Sequence, residues 1–493
     1  MSTAAGDPTS YWCETLLTDG IPSMGVRLTV GQDGRISVRA DGVAAEPRDI
    51  RLGTVLPGLA NAHSHAFHRA LRGRTHDQGG DFWRWRQSMY TVAQTLTPEL
   101  YLELARAVFA EMLVSGYTAV GEFHYLHHQP DGTAYPQAHA MELALATAAR
   151  EVGIRLVLLD TSYLAGGLDA PLLPEQRRFG DGSAAGWLGR WTALRSVIET
   201  DAAARPTDPA LVTLGAALHS VRAVPQDAMR EILAGLPADV PLHIHLSEQP
   251  RENADCLAAY GVTPTGVLAG LGALSPRLSV VHATHLSTDD VTLLGTHGVT
   301  VVMCPSTEAD LGDGIGPAHA LAAAGTPIAL GSDQNAVVDP FLEMRGLEMG
   351  ERLASGSRGR FGPAQLLRAA GADGYAALGL GRAWLAPGDP ADLVEVAAHS
   401  IRTVGAAPGQ LVLAATAADV RRVIVAGRLV ADTGRLVGTP AAALATGDPL
   451  STVGSPAVLL RDALAALDAA AASASVPSAH SAPLAHPTRK APR

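Results

Sequence analysis

Lysine is almost missing from this chain: among 493 residues the single one is Lys490. Chemistry that runs through a Schiff base to a buried lysine, as pyridoxal phosphate and aldolase mechanisms do, has no residue to use in the body of the protein. Cysteine is nearly as scarce. Cys13, Cys256 and Cys304 are odd in number, widely spaced and without a CxxC pair, which argues against a disulfide framework or a thiolate zinc site and fits a reducing compartment. Basic residues are outnumbered, 37 Lys and Arg against 48 Asp and Glu, for a formal net charge of −11. No basic cluster offers a nucleic-acid surface. No apolar run reaches the roughly 18 residues of a membrane span, and the first residues lack a basic region followed by an apolar core. A soluble cytoplasmic protein is expected.

What the chain has in quantity is apolar material, 47% of its residues. That suits a large core, and the length suits a barrel of about 250–400 residues with a small satellite. Up to about Leu56, short alternating pieces at 26–30 and 36–39 flank Gly31-Gln32-Asp33-Gly34, which is hairpin chemistry. Between Pro57 and Leu380, apolar strands alternate with Ala/Leu-rich helical stretches, for example 98–115 and 289–297, the order of parallel βα units. Short strands return over about 381–438. The expected division is 1–56 and 381–454 as two parts of one β-domain, 57–380 as the barrel, 455–470 as a helix, and 471–493 as a disordered Ala/Ser/Pro tail. No internal repeat is present.

Four barrel segments end in side chains that bind metals. The apolar run 54–59 reads as a buried strand emptying into a loop with His63-Ser64-His65. Alternation puts both imidazoles on one side, where they can hold a divalent metal. The strand 240–246 ends in His245, with Glu248 three residues later; 278–282 ends in His282; 326–333 ends in Gly331-Ser332-Asp333. A parallel barrel gathers the carboxyl ends of its strands on one face, the face that carries chemistry.

This pattern resembles the amidohydrolase superfamily, in particular its deaminase branch. The resemblance implies a distorted (β/α)8 TIM barrel with a smaller β-sandwich domain built from both chain ends. It implies one zinc held by His63, His65, His245 and Asp333, with Glu248 and His282 beside a water. Gly388-Asp389-Pro390-Ala391-Asp392-Leu393-Val394 and Val423-Ile424-Val425-Ala426-Gly427-Arg428 resemble the family's returning β-domain. Many binuclear members bridge two metals through a carbamylated barrel lysine, and this barrel has none, so one metal is the favoured count. Glu248 would protonate a leaving nitrogen, Asp333 would take a proton from the water, and His282 would hydrogen-bond the developing charge.

Aromatics make up only 4% of the chain, so Asp81-Phe82-Trp83-Arg84-Trp85-Arg86-Gln87-Ser88-Met89-Tyr90 stands out. Arginine grips carboxylates bidentately, and Arg222 lies just past another apolar strand, 211–217. Two arginine positions suggest a substrate with two carboxylates. Glu122-Phe123-His124-Tyr125-Leu126-His127-His128, the segment from His219 to Arg222, and Cys304-Pro305-Ser306-Thr307-Glu308-Ala309-Asp310-Leu311-Gly312-Asp313-Gly314 are similar to the formimidoylglutamate deiminase family. That resemblance implies hydrolysis of N-formimidoyl-L-glutamate in histidine degradation, by a homodimer, with Arg86, Tyr125, His219 and Arg222 contacting the substrate; Arg84 is the weaker choice. His68 stands where the family often carries glutamine. Both can hydrogen-bond a formimidoyl nitrogen, but a charged histidine would repel an amidinium-like group. Asn335 follows the metal aspartate where many members carry histidine, and can orient a ligand. The alternative within enzymes is a nucleobase deaminase that stacks its ring on Phe82, Trp83 or Trp85. A non-catalytic scaffold would lack ligands, and none is missing.

Overall fold

Short apolar runs rich in Val, Ile and Leu, bounded by Gly and Pro, pack well on pleated surfaces, and they set out the strands of this computed structural model. It describes residues 9–75, 82–205, 210–439 and 455–474, with 82–84 and 474 described through the backbone alone. Among the described residues the strands are β1 (Thr9–Thr18), β2 (Ile21–Val30), β3 (Ile36–Ala40), β4 (Ile50–Pro57), β5 (Leu59–Ser64), β6 (Tyr117–His124), β7 (Arg155–Ser162), β8 (Val212–Ser220), β9 (Leu242–Leu246), β10 (Leu278–His282), β11 (Thr300–Met303), β12 (Ile328–Leu330), β13 (Leu393–Val396), β14 (Val420–Val425), β15 (Arg428–Asp432) and β16 (Arg435–Leu436).

Strands β5 to β12 pair in sequence order into one eight-stranded parallel sheet. Their residues are buried almost throughout, as a sheet covered on both faces requires. Helices fill the connections. Pro98–Ser115 begins where the Thr97 side chain accepts the Leu100 N–H and ends at Gly116 with φ 107°, a left-handed cap that glycine adopts freely. The sheet curls until β12 meets β5, and a parallel bridge between Ser64 and Asp333 spans the last gap.

The remaining strands form a second eight-stranded sheet in the order β16-β15-β14-β13-β4-β1-β2-β3. Both chain ends contribute, through the antiparallel pairing of β13 with β4. The expected hairpin is β2–β3, with Leu28 opposite Arg39. This sheet encloses its own apolar cluster, which includes Tyr11, Cys13, Leu16, Val26, Leu52 and Ile424.

The apolar run 54–59 reads as one strand, but the structure divides it at Gly58 between β4 of the satellite and β5 of the barrel. Both pieces are apolar and buried, so hydropathy cannot separate them. A Cβ at position 58 would lie 2.5 Å from the Tyr375 hydroxyl and 2.8 Å from Asp392 Cβ; glycine alone lets the chain cross there. Asp392 is fully buried at the same junction. It accepts hydrogen bonds from Arg155 Nε at 2.5 Å, the Tyr375 hydroxyl at 2.7 Å and the Ala426 N–H at 2.6 Å, tying barrel to satellite. The last helix runs Pro456–Ala474, past the expected end at 470, because the alanine run continues. It packs on Pro98–Ser115. The segment 440–454 and the tail from 475 lie outside the described residues. None of the described helices is long and apolar enough to cross a membrane.

Replacing Asp392 by Ala leaves the Arg155 guanidinium buried without its counter-charge, so a loss of about 3–5 kcal/mol is expected. Urea unfolding followed by circular dichroism measures it, and a change below about 1 kcal/mol would mean that the junction bears no load.

Candidate metal centre and substrate cavity

The four candidate ligands converge at the barrel's closing seam. His63 Nε2 lies 3.1 Å from His245 Nε2 and 3.3 Å from Asp333 Oδ1; His65 Nε2 lies 3.4 Å from the same oxygen. Carbonyl oxygens only accept, so His65 Nδ1 donates to the Phe123 carbonyl at 2.9 Å and His245 Nδ1 to the His219 carbonyl at 3.0 Å. Burial holds His63, His65 and His245 below the usual imidazole range, and with Nδ1 donating in His65 and His245 those two rings present lone pairs at Nε2. Tetrahedral bonds of about 2.0–2.1 Å separate ligand atoms by roughly 3.3 Å, the spacing found from Asp333 to His63 and His65 and between His63 and His245; His63 is shared by two candidate metal-holding groups, one with His65 and Asp333 and one with His245 and His282. Asp333 is held well below the usual carboxylate range: burial would raise it, but His63, His282 and His65 outweigh that.

A small network fixes the seam. The Asp333 N–H donates to the His63 carbonyl at 3.0 Å and the His65 N–H to the Asp333 carbonyl at 2.9 Å. Asn61, Ser332 and Asn335, all fully buried, interlock beside them. Asn61 accepts the Ser332 N–H at 2.9 Å and donates to Ser332 Oγ at 2.6 Å, and Ser332 Oγ donates to Asn335 Oδ1 at 2.7 Å. Asn335 Nδ2 reaches the carbonyls of His65 and Asp333 at 3.1 and 3.2 Å. At Gly331 a Cβ would meet the His63 carbonyl oxygen at 2.8 Å. Backbone strain gathers here: Ser247, His282, Asp333 and Asn335 have φ of 51°, 69°, 43° and 57°, a conformation that costs side-chain-bearing residues of order 1–3 kcal/mol each where the surroundings impose it.

Glu248 and His282 stand beside the ligands. His282 Nε2 lies 4.0 Å from both Glu248 Oε1 and Asp333 Oδ2. Burial raises the Glu248 carboxyl above its ordinary value, against the pull of His282. Burial alone would lower His282, yet Glu248, Glu308 and Asp333 push it up to about 10. The two facing groups are therefore both shifted upward.

The other predicted residues line one cavity with the metal group. His68, Arg86, Tyr125, His219 and Arg222 all border it, together with Glu248, His282 and Asp333. His68 Nε2 and the Tyr125 hydroxyl are 3.1 Å apart. Burial lowers His68 to about 3, so it is neutral and repels no amidinium. His219 is likewise kept neutral, by burial and by Arg222 and Arg86. Arg86 Nε donates to the Tyr90 hydroxyl at 2.8 Å, and Arg222 Nε is buried without a hydrogen-bond partner. Asp81 and the side chains of Phe82, Trp83 and Arg84 lie outside the described residues, while Trp85 packs 5.0 Å from the His68 ring.

Of the run from Glu122 to His128, Tyr125 alone borders the cavity. His124, His127 and Glu142 form a second group with ligand-type atoms, but Arg190 donates to Glu142 at 3.0 Å and to Asp160 at 2.7 Å. His127 bridges Glu142 and the Thr161 carbonyl, which makes this a buried ion network. Sequence reasoning missed Tyr163 and Phe179, which also wall the cavity. Tyr163 directly follows β7, the same strand-end position that exposed the ligands, but its phenol carries no ligand atom to draw notice.

The amidohydrolase family matches residues 54–430. The chain is 38% identical to formimidoylglutamate deiminase of Pseudomonas aeruginosa over 428 residues, 82% of this chain and 92% of that protein. It is 32% identical to 8-oxoguanine deaminase of the same organism over 440 residues, 84% of this chain and 92% of the relative. A crystal structure of an amidohydrolase from Brucella melitensis superposes with a TM-score of 0.82 at 30% identity, covering 93% of this chain and 99% of that one.

Replacing Asn335 by Ala removes the clasp and no metal-binding atom. Metal affinity should fall about 10–100-fold, measured by chelator competition, with the fold retained by circular dichroism; unchanged affinity would assign the clasp no part in holding the ligands.

Proposed function

The chain belongs to the amidohydrolase family, and from that premise we propose that it hydrolyses N-formimidoyl-L-glutamate to N-formyl-L-glutamate and ammonia, in histidine degradation. The class is a metal-dependent hydrolase acting on a carbon–nitrogen bond. The observation that carries the substrate is charge placement: Arg86 and Arg222 border the same cavity as the metal group. Two carboxylates answer two guanidiniums with charge-assisted pairs, an attraction that a neutral nucleobase does not draw on. The resemblance to formimidoylglutamate deiminase supports the same substrate.

The residues divide the work. His63, His65, His245 and Asp333 would hold one divalent ion, proposed to be zinc from its nitrogen and oxygen donors. When bound there, such an ion makes water acidic enough to supply hydroxide near neutral pH. Asp333 Oδ1 faces His63 and His65, so Oδ2, turned toward His282, is the oxygen available to take the proton of the attacking water. Attack at the formimidoyl carbon makes it tetrahedral. Glu248, whose carboxyl burial raises, would give a proton to the terminal nitrogen; the proton held by Asp333 then completes ammonia as the carbon–nitrogen bond breaks, and the hydroxyl proton lost on forming the formyl carbonyl returns to Glu248. His282 donates to the developing oxyanion. Neutral His68 and the Tyr125 hydroxyl hydrogen-bond the formimidoyl group, His219 packs against Tyr163 at 4.3 Å on the substrate wall, and the arginines take the carboxylates.

The rest of the reading is a barrel over 57–380 as catalytic body, a β-domain from 1–56 and 381–454, a cytoplasmic location and a homodimer. The reducing-compartment cysteine pattern supports the location, with Cys13, Cys256 and Cys304 free and buried. Family resemblance supports the dimer.

Metal-loaded protein should release ammonia from N-formimidoyl-L-glutamate and leave guanine, adenosine and cytosine unchanged; the reverse pattern contradicts the substrate assignment. Replacing Glu248 by Gln should lower kcat about 10²–10⁴-fold with metal content unchanged, read by steady-state kinetics and metal analysis. Replacing Arg222 by Met should raise KM for the dicarboxylate at least about tenfold, a loss of one charge-assisted pair. A monocarboxylate analogue should lose much less, and equal losses would oppose carboxylate recognition.

A further inference from the structure

The segment 304–314, distinctive in the sequence, contributes Leu311 to the cavity wall, and its most acidic stretch lies behind the reacting groups. Strand β11 ends at Met303, and the helix Pro305–Leu311 follows at once, packed against the helix Pro340–Ser355. Glu308, only 6% exposed, folds its carboxylate over the start of this helix. Oε1 accepts the Cys304 N–H at 2.9 Å, and the same oxygen lies 3.6 Å from His282 Nδ1. No other group satisfies that nitrogen: Nδ1 is sealed from solvent and without a hydrogen-bond partner. Across the ring, Nε2 faces Glu248 and Asp333 at 4.0 Å each. The His282 side chain is only 2% exposed, so the packed ring has little room to turn away.

An imidazole lone pair aimed at a carboxylate is repelled, while an N–H aimed at it is attracted. We propose that Glu308 is a positioning residue: its carboxylate keeps a proton on Nδ1 of His282 and fixes the ring plane, so that Nε2 is presented to Glu248, Asp333 and the reacting centre. Glu308 is not among the residues that border the substrate cavity and acts on the reaction through His282. The inference rests on the deaminase reading of the site, to which it adds the origin of His282's orientation. The plainer role for Glu308 is a cap for Cys304, and substitutions separate the two. Glutamine keeps an oxygen for the Cys304 N–H and for Nδ1–H but drops the charge; alanine removes both.

With N-formimidoyl-L-glutamate, kcat should fall roughly tenfold in Glu308→Gln and about 100-fold in Glu308→Ala, the range for a partner that orients an active-site histidine. KM and bound metal should stay within about twofold, a change worth only a few tenths of a kcal/mol. A cap alone would lower the melting temperature of Glu308→Ala and leave kcat at the wild-type value, which overturns the proposal. A second readout needs no substrate. In the ¹⁵N-histidine-labelled metal-loaded enzyme at one fixed pH, the His282 signal, identified by its loss in His282→Asn, should show a proton on Nδ1 and lose that form in Glu308→Ala. An unprotonated Nδ1 in the wild type overturns the proposal. If the wild-type enzyme leaves formimidoylglutamate intact, the substrate assignment fails while the nitrogen signal still decides the role of Glu308.

Discussion

The barrel closes through two main-chain hydrogen bonds, Asp333 N–H to the His63 carbonyl and His65 N–H to the Asp333 carbonyl, and the metal centre is a consequence of that closure. The residues that pair backbone at the seam carry the side chains that meet above it. Closure therefore places His63 Nε2 3.3 Å and His65 Nε2 3.4 Å from Asp333 Oδ1, with His245 Nε2 3.1 Å from His63 Nε2, a donor-rich arrangement that is favourable around a cation. Gly331 permits the approach, and the Asn61–Ser332–Asn335 clasp holds it with hydrogen bonds that have no solvent to compete with. Folding energy spent on the sheet is thus stored as a preformed binding site, and left-handed residues at the ends of β9, β10 and β12 mark where that strain is kept.

Around this seam, burial sorts the titratable groups into roles. The three candidate ligand histidines are kept neutral, Asp333 is kept ionised, the Glu248 carboxyl is raised and His282 is pushed up to about 10. Each state suits its proposed task, and each follows from what lies nearby. Arg86 and Arg222 set the other end of the cavity, so a substrate spans a positive wall and a region that protonates nitrogen. The ion network of His127, Glu142, Asp160 and Arg190 shows the contrasting case, in which an arginine supplies the positive charge and the same residue types serve packing.

Much of this was legible in the sequence for a definite reason. Ligand-type side chains at the ends of apolar strands are rare enough to notice, and a parallel barrel has one face on which to collect them, so His63, His65, His245, His282 and Asp333 stood out although scattered over the chain. Arg86 stood out because charge beside aromatics is unusual in so aromatic-poor a chain, and Arg222 because it lies just past an apolar strand. What escaped depends on pairing in space. Gly58 divides two buried strands that hydropathy merges; Asn61 and Ser332 look like ordinary small polar residues until β5 and β12 are side by side. Tyr163 carries no ligand atom, and in the run from His124 to His128 only the way the chain leaves β6 selects Tyr125 for the cavity. The end of the last helix shifted because an alanine run carries no stop.

A crystal structure of the metal-loaded protein with anomalous scattering measured at the zinc edge tests the central claim most directly. One anomalous peak is predicted, bonded to Nε2 of His63, His65 and His245 and to a carboxylate oxygen of Asp333. A peak held by His124, His127 and Glu142 with none at the seam, or ligand side chains that swing apart around an unbound centre, would contradict it.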